Sequence, residues 1–383
     1  MAELIAALNA GSSSIKFALA ETDGAAIGAR RLSGELEGLH TAPHLRIRDQ
    51  GGNTVEERRW SAKTDHDELL DMLLGWIDRH IAPDRLIAVG HRVVHGGTVF
   101  TAPVRIDDDA ITQIDALTPL APLHQPLSLA PIRAIGKLRP GLLQVACFDT
   151  AFHRTMPPVA ARYGLPRRYE AEGIRRYGFH GLSYEHIASM VPKGRTIAAH
   201  LGNGASLCAL RDGESIDTTM GFTALDGLVM GTRCGSIDPG ALLYIQQTEQ
   251  RSAADMQDML YHDSGLLGVS GLSSDMRDLL ASDAQPAREA VELFVYRIAR
   301  ETGALAASLG GLDTLIFTAG IGEHMAAIRQ SVCERLACFG VHLDAQANAR
   351  HDPVISAGTS TVSVRIVPAD EEAVILHETL VLL

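Results

Sequence analysis

The sequence has few of the features that mark secreted, membrane-bound or nucleic-acid-binding proteins. Its five cysteines form an odd number without a C-x-x-C pair, so we expect scattered reduced thiols in the cytosol. No apolar run approaches the roughly 18 residues that a membrane helix needs, and no basic segment precedes the first apolar stretch, so we expect no secretory signal. The net charge of −12 argues against a nucleic-acid or anionic-membrane surface. These absences leave a cytoplasmic α/β enzyme or binding protein.

Two common nucleotide-binding signatures are also missing. The chain contains no G-x-x-x-x-G-K-[ST] sequence, which excludes a Walker-type phosphate loop. The segment Gly320-Ile321-Gly322 lacks the third glycine of a dinucleotide-binding fingerprint and lies far from any early βαβ unit. A nucleotide site would therefore have to be built in another way.

A repeated hairpin is the main positive signal. Residues 4–19, LIAALNAGSSSIKFAL, read as an apolar strand, a turn of Asn, Gly and Ser, and a second strand that carries Lys16. Residues 196–210, TIAAHLGNGASLCAL, repeat this plan with a shorter turn. Small side chains would let a phosphate approach the backbone N–H groups, although either hairpin alone could be an ordinary Gly/Ser turn. Two copies predict two similar halves, each with a phosphate-sized concavity.

Apolar periodicity predicts alternating strands and helices in both halves. Further strands are expected at residues 28–36, 44–48, 85–89, 142–148, 314–318 and 362–367, and helices at 67–81, from 184, at 286–309 and at 373–383. Residues 118–131 carry four prolines, so we expect an extended, ordered loop there and not a helix. No low-complexity linker is present, so we expect the two halves to pack around a shared cleft.

Several polar residues are ambiguous when taken singly. Asp149 follows the strand at 142–148, where open α/β sheets bind ligands, but it could equally cap the next segment. Arg92 and Arg233 lie beside glycines and suit phosphate or carboxylate recognition, although each could form a surface ion pair. His91 and His95 have a spacing that metal ligands can use. Two valines separate them, so packing in a strand is the default interpretation.

Ten motifs together make the chain similar to the acetate kinases from end to end. In order they are LNAGSSSIK, HRVVHGG, APLHQP, FDTAFH, YGFHG, HLGNGAS, MGTR, SSDMRD, FTAGIGE and PADEE. The resemblance implies an α/β fold of duplicated actin-like, ribonuclease H-like ATPase domains, with mixed sheets flanked by helices around a central cleft. It implies an acyl-substrate domain at residues 1–151, closed by a helix at 373–383, and a nucleotide-binding domain at 152–372. It also implies a homodimer.

The resemblance further implies a reaction and its site residues. The reaction is reversible transfer of a phosphoryl group between ATP and acetate, giving acetyl phosphate and ADP, with Mg²⁺ or Mn²⁺ held by Asn9 and Glu371. Phosphate contacts would come from Ser12, Ser14 and Lys16 and from His200, Leu201, Gly202, Asn203 and Gly204. The adenosine pocket would comprise Asp275, Met276, Arg277, Gly320, Ile321, Gly322, Glu323 and His324. The catalytic residues would be Arg92, His124, Asp149, His180 and Arg233, and Arg92 would also bind the substrate with Val94, Leu123 and Phe179.

Physical chemistry favours particular roles within this set. Acetate is already ionised at neutral pH, so catalysis depends on in-line positioning and on neutralising charge on phosphorus. We therefore expect Asp149 to orient Arg92 or metal-bound water, and not to act as an obligatory base. Asp370, His324, Thr98 and Ala224 depart from the usual pattern of the family. A propionate kinase, an actin-like or chaperone ATPase, and a non-enzymatic nucleotide-binding module are the alternatives.

Overall fold

A computed structural model of the chain describes residues 1–11, 14–39, 42–61, 64 and 66–383, with residues 66 and 67 described by their backbone only. Its strands are β1 (Glu3–Ala10), β2 (Ser14–Thr22), β3 (Ile27–Glu37), β4 (His44–Asp49), β5 (Thr54–Arg59), β6 (Arg85–Val93), β7 (Val104–Arg105), β8 (Leu143–Phe148), β9 (Arg195–Leu201), β10 (Ala205–Arg211), β11 (Glu214–Thr218), β12 (Thr314–Thr318) and β13 (Ser363–Ile366).

Helices alternate with these strands along the chain. They are α1 (His66–Ile81), α2 (Asp108–Ala116), α3 (Gln125–Leu138), α4 (Pro158–Ala161), α5 (Arg167–Ala171), α6 (Gly181–Met190), α7 (Pro239–Thr248), α8 (Ala253–His262), α9 (Gly265–Ser270), α10 (Met276–Ala281), α11 (Gln285–Leu309), α12 (Ala319–His324), α13 (Ala326–Arg335), α14 (Ala345–Ala349) and α15 (Glu371–Val381).

The first of two compact units comprises Met1–Phe152 together with Asp370–Leu383. Its sheet has the order β5-β4-β3-β2-β1-β6-β8-β7, antiparallel from β5 to β1 and parallel across β1, β6 and β8. One face carries an apolar core that α1 and α3 cover. The opposite face receives α15, and a Cβ at Gly90 would lie 2.0 Å from Thr379 Oγ1. Glycine at this position therefore lets the last helix pack directly on the central strands.

The second unit, His153–Ala369, is built on a five-stranded sheet. The strand order is β11-β10-β9-β12-β13, antiparallel from β11 to β9 and parallel from β9 to β13. In the first unit β3-β2-β1-β6-β8 has the same order and directions. The α/β fold class and the internal repeat predicted from the two hairpins are therefore confirmed.

Most of the predicted elements are found close to their expected bounds, with one clear exception. The proline-rich segment at 118–131 does not form an extended loop, because α3 begins at Gln125 and runs through Pro131. Pro126 occupies the first turn, where no intrahelical N–H is needed. Burial of Leu129 and Ile132 stabilises the helix despite the hydrogen bond that Pro131 cannot make. The expectation of a loop was therefore wrong.

Candidate active site

In the first unit three predicted site residues meet at the carboxyl edge of the sheet. Asn9 lies on β1, Arg92 lies on β6, and Asp149 directly follows β8. The register pairs Leu8 with His91 and Val93 with Phe148, so neighbouring parallel strands end together. Parallel strands bring their carboxyl ends to one edge, which explains why residues far apart in sequence converge there.

Arg92 and Asp149 form a buried ion pair at this edge. Arg92 donates to Asp149 Oδ2 from Nε at 3.0 Å and from Nη2 at 2.6 Å. The Asp149 side chain has no exposed surface, whereas 17% of the Arg92 side chain remains exposed. Burial opposes the charge of Arg92, but the carboxylates of Asp149 and Glu371 outweigh it and raise the pKa of the guanidinium. Arg92 therefore stays charged and fixed in direction, and it is not a surface ion pair.

The N-terminus of α15 brings carboxylates to the same place. Asn9 Nδ2 donates to Glu371 Oε2 at 2.7 Å and to Glu372 Oε1 at 3.2 Å. Burial and the neighbouring Glu371 charge raise the pKa of Glu372. Because the two glutamates crowd like charges around one amide, this position favours a cation.

Asp370 adds less unpaired negative charge beside Glu371 than the sequence alone suggests. Its side chain caps α15 by accepting from the backbone N–H of Ala373 at 3.0 Å. Arg30 Nη2 donates to both Asp370 carboxylate oxygens at 2.8 Å. The negative charge that departs from the usual family pattern is therefore paired with Arg30.

The donors around Asn9 fit a hard divalent cation. They are amide and carboxylate oxygens, the ligands that Mg²⁺ prefers, and Mg²⁺ commonly takes only one or two carboxylates with waters and phosphates completing its shell. Over the described ranges, no group of three or more His, Cys, Asp or Glu side chains could hold a metal by itself. A site that relies on nucleotide phosphates agrees with both observations.

The first hairpin presents further polar groups beside Asn9. Lys16 pairs with Asn9 across β1 and β2, and Ser14 is the first residue of β2. Ser12 lies outside the described residues. His91 is buried within β6, where its Nε2 lies 2.8 Å from Gln144 Oε1. This contact agrees with packing in a strand, the default interpretation of that histidine.

In the second unit, His180 and Arg233 approach the turn of the repeated hairpin. A Cβ at Gly204 would lie 2.7 Å from Arg233 Nη2 and 3.3 Å from His180 Nε2. Arg233 Nη1 donates to the carbonyl oxygen of Ala224 at 2.8 Å. A Cβ at Gly231 would lie 2.2 Å from Asn203 Oδ1. Glycine at position 204 thus lets two hydrogen-bond donors lie against the predicted phosphate loop, and glycine at position 231 leaves room for the Asn203 amide of that loop.

His180 is held by its backbone and by two side chains. It occupies the left-handed region with φ of 57° and precedes α6, an uncommon conformation for a residue other than glycine. Its Nδ1 lies 2.8 Å from Ser206 Oγ, and its ring stacks on His200 with centroids 4.2 Å apart. His200 Nδ1 in turn lies 2.8 Å from Ser183 Oγ. Strained backbone of this kind is often found at functional positions, so it agrees with the role predicted for His180.

The predicted adenosine segment forms a short helix directly after β12. Ala319 begins α12 in the left-handed region with φ of 64°. Glu323 Oε1 accepts from the backbone N–H of Ala319 at 2.8 Å and from that of Ala369 at 2.9 Å. A Cβ at Gly320 would meet no atom within 4 Å, so this side of the segment is open. The carboxylate of Glu323 therefore holds backbone, while Gly320 leaves room for a ligand.

Other predicted binding residues have ordinary structural partners. Asp275 caps α10 by accepting from the backbone N–H of Arg277 at 2.8 Å, and the two side chains also form an exposed ion pair. Met276 is buried, and the His324 ring lies 6.5 Å from that of His351. These contacts leave the predicted adenosine roles open.

The predicted acyl-pocket residues are divided between the two units. Val94 follows β6 and is buried, and Leu123 and His124 precede α3 in the first unit. Phe179 is buried beside His180 in the second unit. The roles assigned to these residues remain predictions.

Sequence reasoning missed the buried residues that hold the site residues in place. Arg329 is fully buried and donates to the carbonyl oxygens of Gly322 and Glu323 at 2.8 Å, which fixes the end of α12. Tyr184 and Ser206 support His180 in a similar way. Arg329 lies in a helix of mixed polarity, so the sequence gives no sign that its side chain is buried. Ser206 lies in the motif HLGNGAS and Tyr184 follows the motif YGFHG, so their positions near predicted site residues could be recognised from the sequence.

Within the described ranges, no helix combines the length and apolar character needed to cross a bilayer.

Comparison with known proteins shows that the sequence model of the acetokinase family matches residues 4–377. An acetate kinase from Rhodopseudomonas palustris (strain TIE-1) is 51% identical, over 98% of this chain and 97% of the relative. Among solved structures, a propionate kinase from Francisella tularensis subsp. tularensis SCHU S4 is 36% identical with a TM-score of 0.90, covering 98% of this chain and 99% of that one. Porphyromonas gingivalis acetate kinase is also 36% identical, with a TM-score of 0.85 and 99% of both chains covered.

Proposed function

The chain belongs to the acetokinase family, and we propose that it transfers the γ-phosphoryl group of ATP reversibly to acetate, giving acetyl phosphate and ADP. The observation that carries this proposal is the buried Arg92–Asp149 pair beside Asn9 and Glu371. An arginine whose direction is fixed by a buried carboxylate suits recognition of a small carboxylate such as acetate.

Arg92 binds and orients acetate in this account. Asp149 uses one oxygen to hold two guanidinium nitrogens of Arg92, so its main role is to orient the arginine. Acetate needs no deprotonation at neutral pH because its carboxyl group is already ionised. A general base would therefore add little to the attack on phosphorus.

His180 and Arg233 stabilise the charge that develops on the transferred phosphoryl group. Both point toward Gly204 in the predicted phosphate loop, with Arg233 Nη2 and His180 Nε2 as the nearest side-chain atoms to a Cβ built there. Phosphoryl transfer spreads charge over the equatorial oxygens, and fixed donors lower the barrier by meeting that charge. We assign His124 a supporting role beside the acyl substrate.

Asn9 and Glu371 would hold the divalent cation, Mg²⁺ or Mn²⁺, that accompanies ATP. When bound, this cation neutralises phosphate charge during transfer. Lys16, Ser12 and Ser14 would contact phosphates from the first hairpin. Residues 200–204 of the second hairpin would do the same.

The nucleotide base and ribose are assigned to the second unit. The open side of Gly320 and the segment that Glu323 and Arg329 hold together provide a rigid backbone surface. Asp275, Met276 and Arg277 complete the proposed adenosine pocket. We therefore assign the second unit, His153–Ala369, to nucleotide binding, and the first unit, which includes the last helix, to the acyl substrate.

Val94, Leu123 and Phe179 are assigned to the apolar walls around the acetate methyl group. One additional methylene in an apolar pocket changes the binding free energy by only about 1–3 kcal/mol. We therefore expect propionate to be a secondary substrate. A preference for propionate over acetate is the alternative, and a comparison of the two substrates distinguishes them. We further propose a cytoplasmic homodimer. The exposed Leu243 and Tyr244 on α7 provide one apolar surface for such an assembly.

The test is release of ADP from ATP with and without acetate. We expect ADP release to depend on acetate and on Mg²⁺ or Mn²⁺. An actin-like or chaperone ATPase would release ADP without acetate, and a non-enzymatic nucleotide-binding module would release none. Either of these results would overturn the proposal.

A further inference from the structure

A chain of buried hydroxyl groups leads to the ring nitrogen of His180 that points away from Gly204. Tyr184 OH lies 2.5 Å from Ser206 Oγ, and Ser206 Oγ lies 2.8 Å from His180 Nδ1. Tyr184 and Ser206 have no exposed surface. The chain connects α6 to β10 and ends on the histidine that we assign to phosphoryl transfer.

The direction of these two hydrogen bonds follows from the Tyr184 hydroxyl, at the end farther from His180. Tyr184 OH and Ser206 Oγ are hydrogen-bonded to each other, and from the distance alone either oxygen could be the donor. Burial raises the pKa of the phenol well above 10, so its own hydrogen stays in place. Ser206 Oγ is the acceptor that the structure gives for that hydrogen. Leaving a buried hydroxyl hydrogen without an acceptor would be costly.

The direction of the hydrogen bond between Ser206 and His180 follows from the same reasoning. Once Ser206 Oγ accepts from Tyr184, its hydrogen is free to donate to His180 Nδ1 at 2.8 Å. A neutral imidazole that accepts at Nδ1 carries its hydrogen on Nε2. Nε2 is the atom that lies 3.3 Å from a Cβ built at Gly204, on the side of the predicted phosphate loop.

We propose that Tyr184 and Ser206 are positioning residues that fix His180 in the tautomer whose Nε2–H points at the transferred phosphoryl group. The stacked ring of His200, held by Ser183, limits rotation of the His180 ring and so preserves this direction. The proposal rests on the proposed function for the role of Nε2–H, but the tautomer itself is a property of the free protein.

The first experiment reads the tautomer directly by nitrogen NMR of the full chain labelled with ¹⁵N-histidine, without ligand. The signals of His180 are identified by their loss in a His180→Gln variant. We expect a protonated Nε2 and an unprotonated Nδ1 in the wild type. A protonated Nδ1 with an unprotonated Nε2 would overturn the proposal without any variant at positions 184 or 206.

The second experiment repeats the NMR measurement in Ser206→Ala and Tyr184→Phe. We expect Ser206→Ala to produce a mixture of His180 tautomers, and Tyr184→Phe a smaller change in the same direction. Tyr177→Phe is the matched control, because Tyr177 is a buried tyrosine whose hydroxyl donates to the carbonyl oxygen of Gly173 at 2.8 Å. A wild-type tautomer in both test variants, or an equal change in the control, would overturn the proposal.

Kinetics then connect the tautomer to turnover. Loss of the hydroxyl in Ser206→Ala should lower kcat roughly tenfold, as expected for one lost orienting hydrogen bond, with the KM values for acetate and ATP changed less than about twofold. A lower kcat with an unchanged His180 tautomer would contradict the positioning role. If the wild type made no acetyl phosphate, the proposed function would fail while the NMR experiments would still decide the tautomer.

Discussion

Breaking the pair between Arg92 and Asp149 tests whether the carboxylate orients the arginine or acts as a base. Arg92 donates twice to Asp149 Oδ2, at 2.6 and 3.0 Å, and the carboxylate is fully buried. Hydrogen bonds between charged groups are worth about 1.5–3 kcal/mol each. Removing both by Asp149→Ala should therefore cost at least about 3 kcal/mol of positioning, or roughly a hundredfold or more in kcat/KM for acetate.

A double-mutant cycle separates the two roles. The kcat/KM for acetate is measured in Asp149→Ala, in Arg92→Ala and in the double variant. If Asp149 acts through Arg92, the double variant should be hardly worse than Arg92→Ala, because the second truncation removes nothing that still functions. Additive losses would refute the orienting role and restore a base. Asp115→Asn, which breaks the exposed Arg133–Asp115 pair in the same unit, is the control and should change kcat/KM little.

Three further predictions follow from the site and its surroundings. His180→Ala and Arg233→Ala should lower kcat far more than they raise the KM for acetate or ATP, because both groups meet charge that develops in the transition state; steady-state kinetics with equal effects on kcat and KM would refute this. Burial lowers the pKa of His91 to about 4 from 6.5, so protonation favours the unfolded chain. The contribution of His91 to stability should therefore be full above pH 6.5 and fall by about 3 kcal/mol toward pH 4, as urea midpoints can show. His91→Gln should reduce that loss, and an unchanged pH dependence would refute its origin. Ala224→Pro should reduce propionate use relative to acetate within a roughly tenfold range, and unchanged specificity constants would remove Ala224 from the pocket.

The most deeply buried strands of both sheets could be predicted because their sequences are nearly continuous apolar runs. Residues 4–8 and 142–148 read as buried strands, and the structure has β1 and β8 there. In contrast β5, TVEERR, is largely exposed and charged, so no apolar signal marks it. The helix within the segment at 118–131 could not be predicted because proline disfavours helix interiors and the sequence does not show the packing that stabilises α3.

The sequence predicts which residues form the candidate site, and the structure brings several of them together, but the buried residues that hold them in place could not be predicted. The motifs identified Arg92 and Asp149, and their proximity follows from neighbouring parallel strands. No sequence pattern reveals that Tyr184 contacts Ser206, because that contact depends on how α6 lies against β10. The pairing of Asp370 with Arg30 has the same cause, since it joins residues from opposite ends of the chain.

The most direct test of the account is the product formed from ATP and acetate, trapped with hydroxylamine. The account predicts that acyl hydroxamate accumulates in step with ADP, only when ATP, acetate and Mg²⁺ or Mn²⁺ are all present, and that excess chelator abolishes it. Release of ADP without acyl hydroxamate, or full activity in excess chelator, would contradict it.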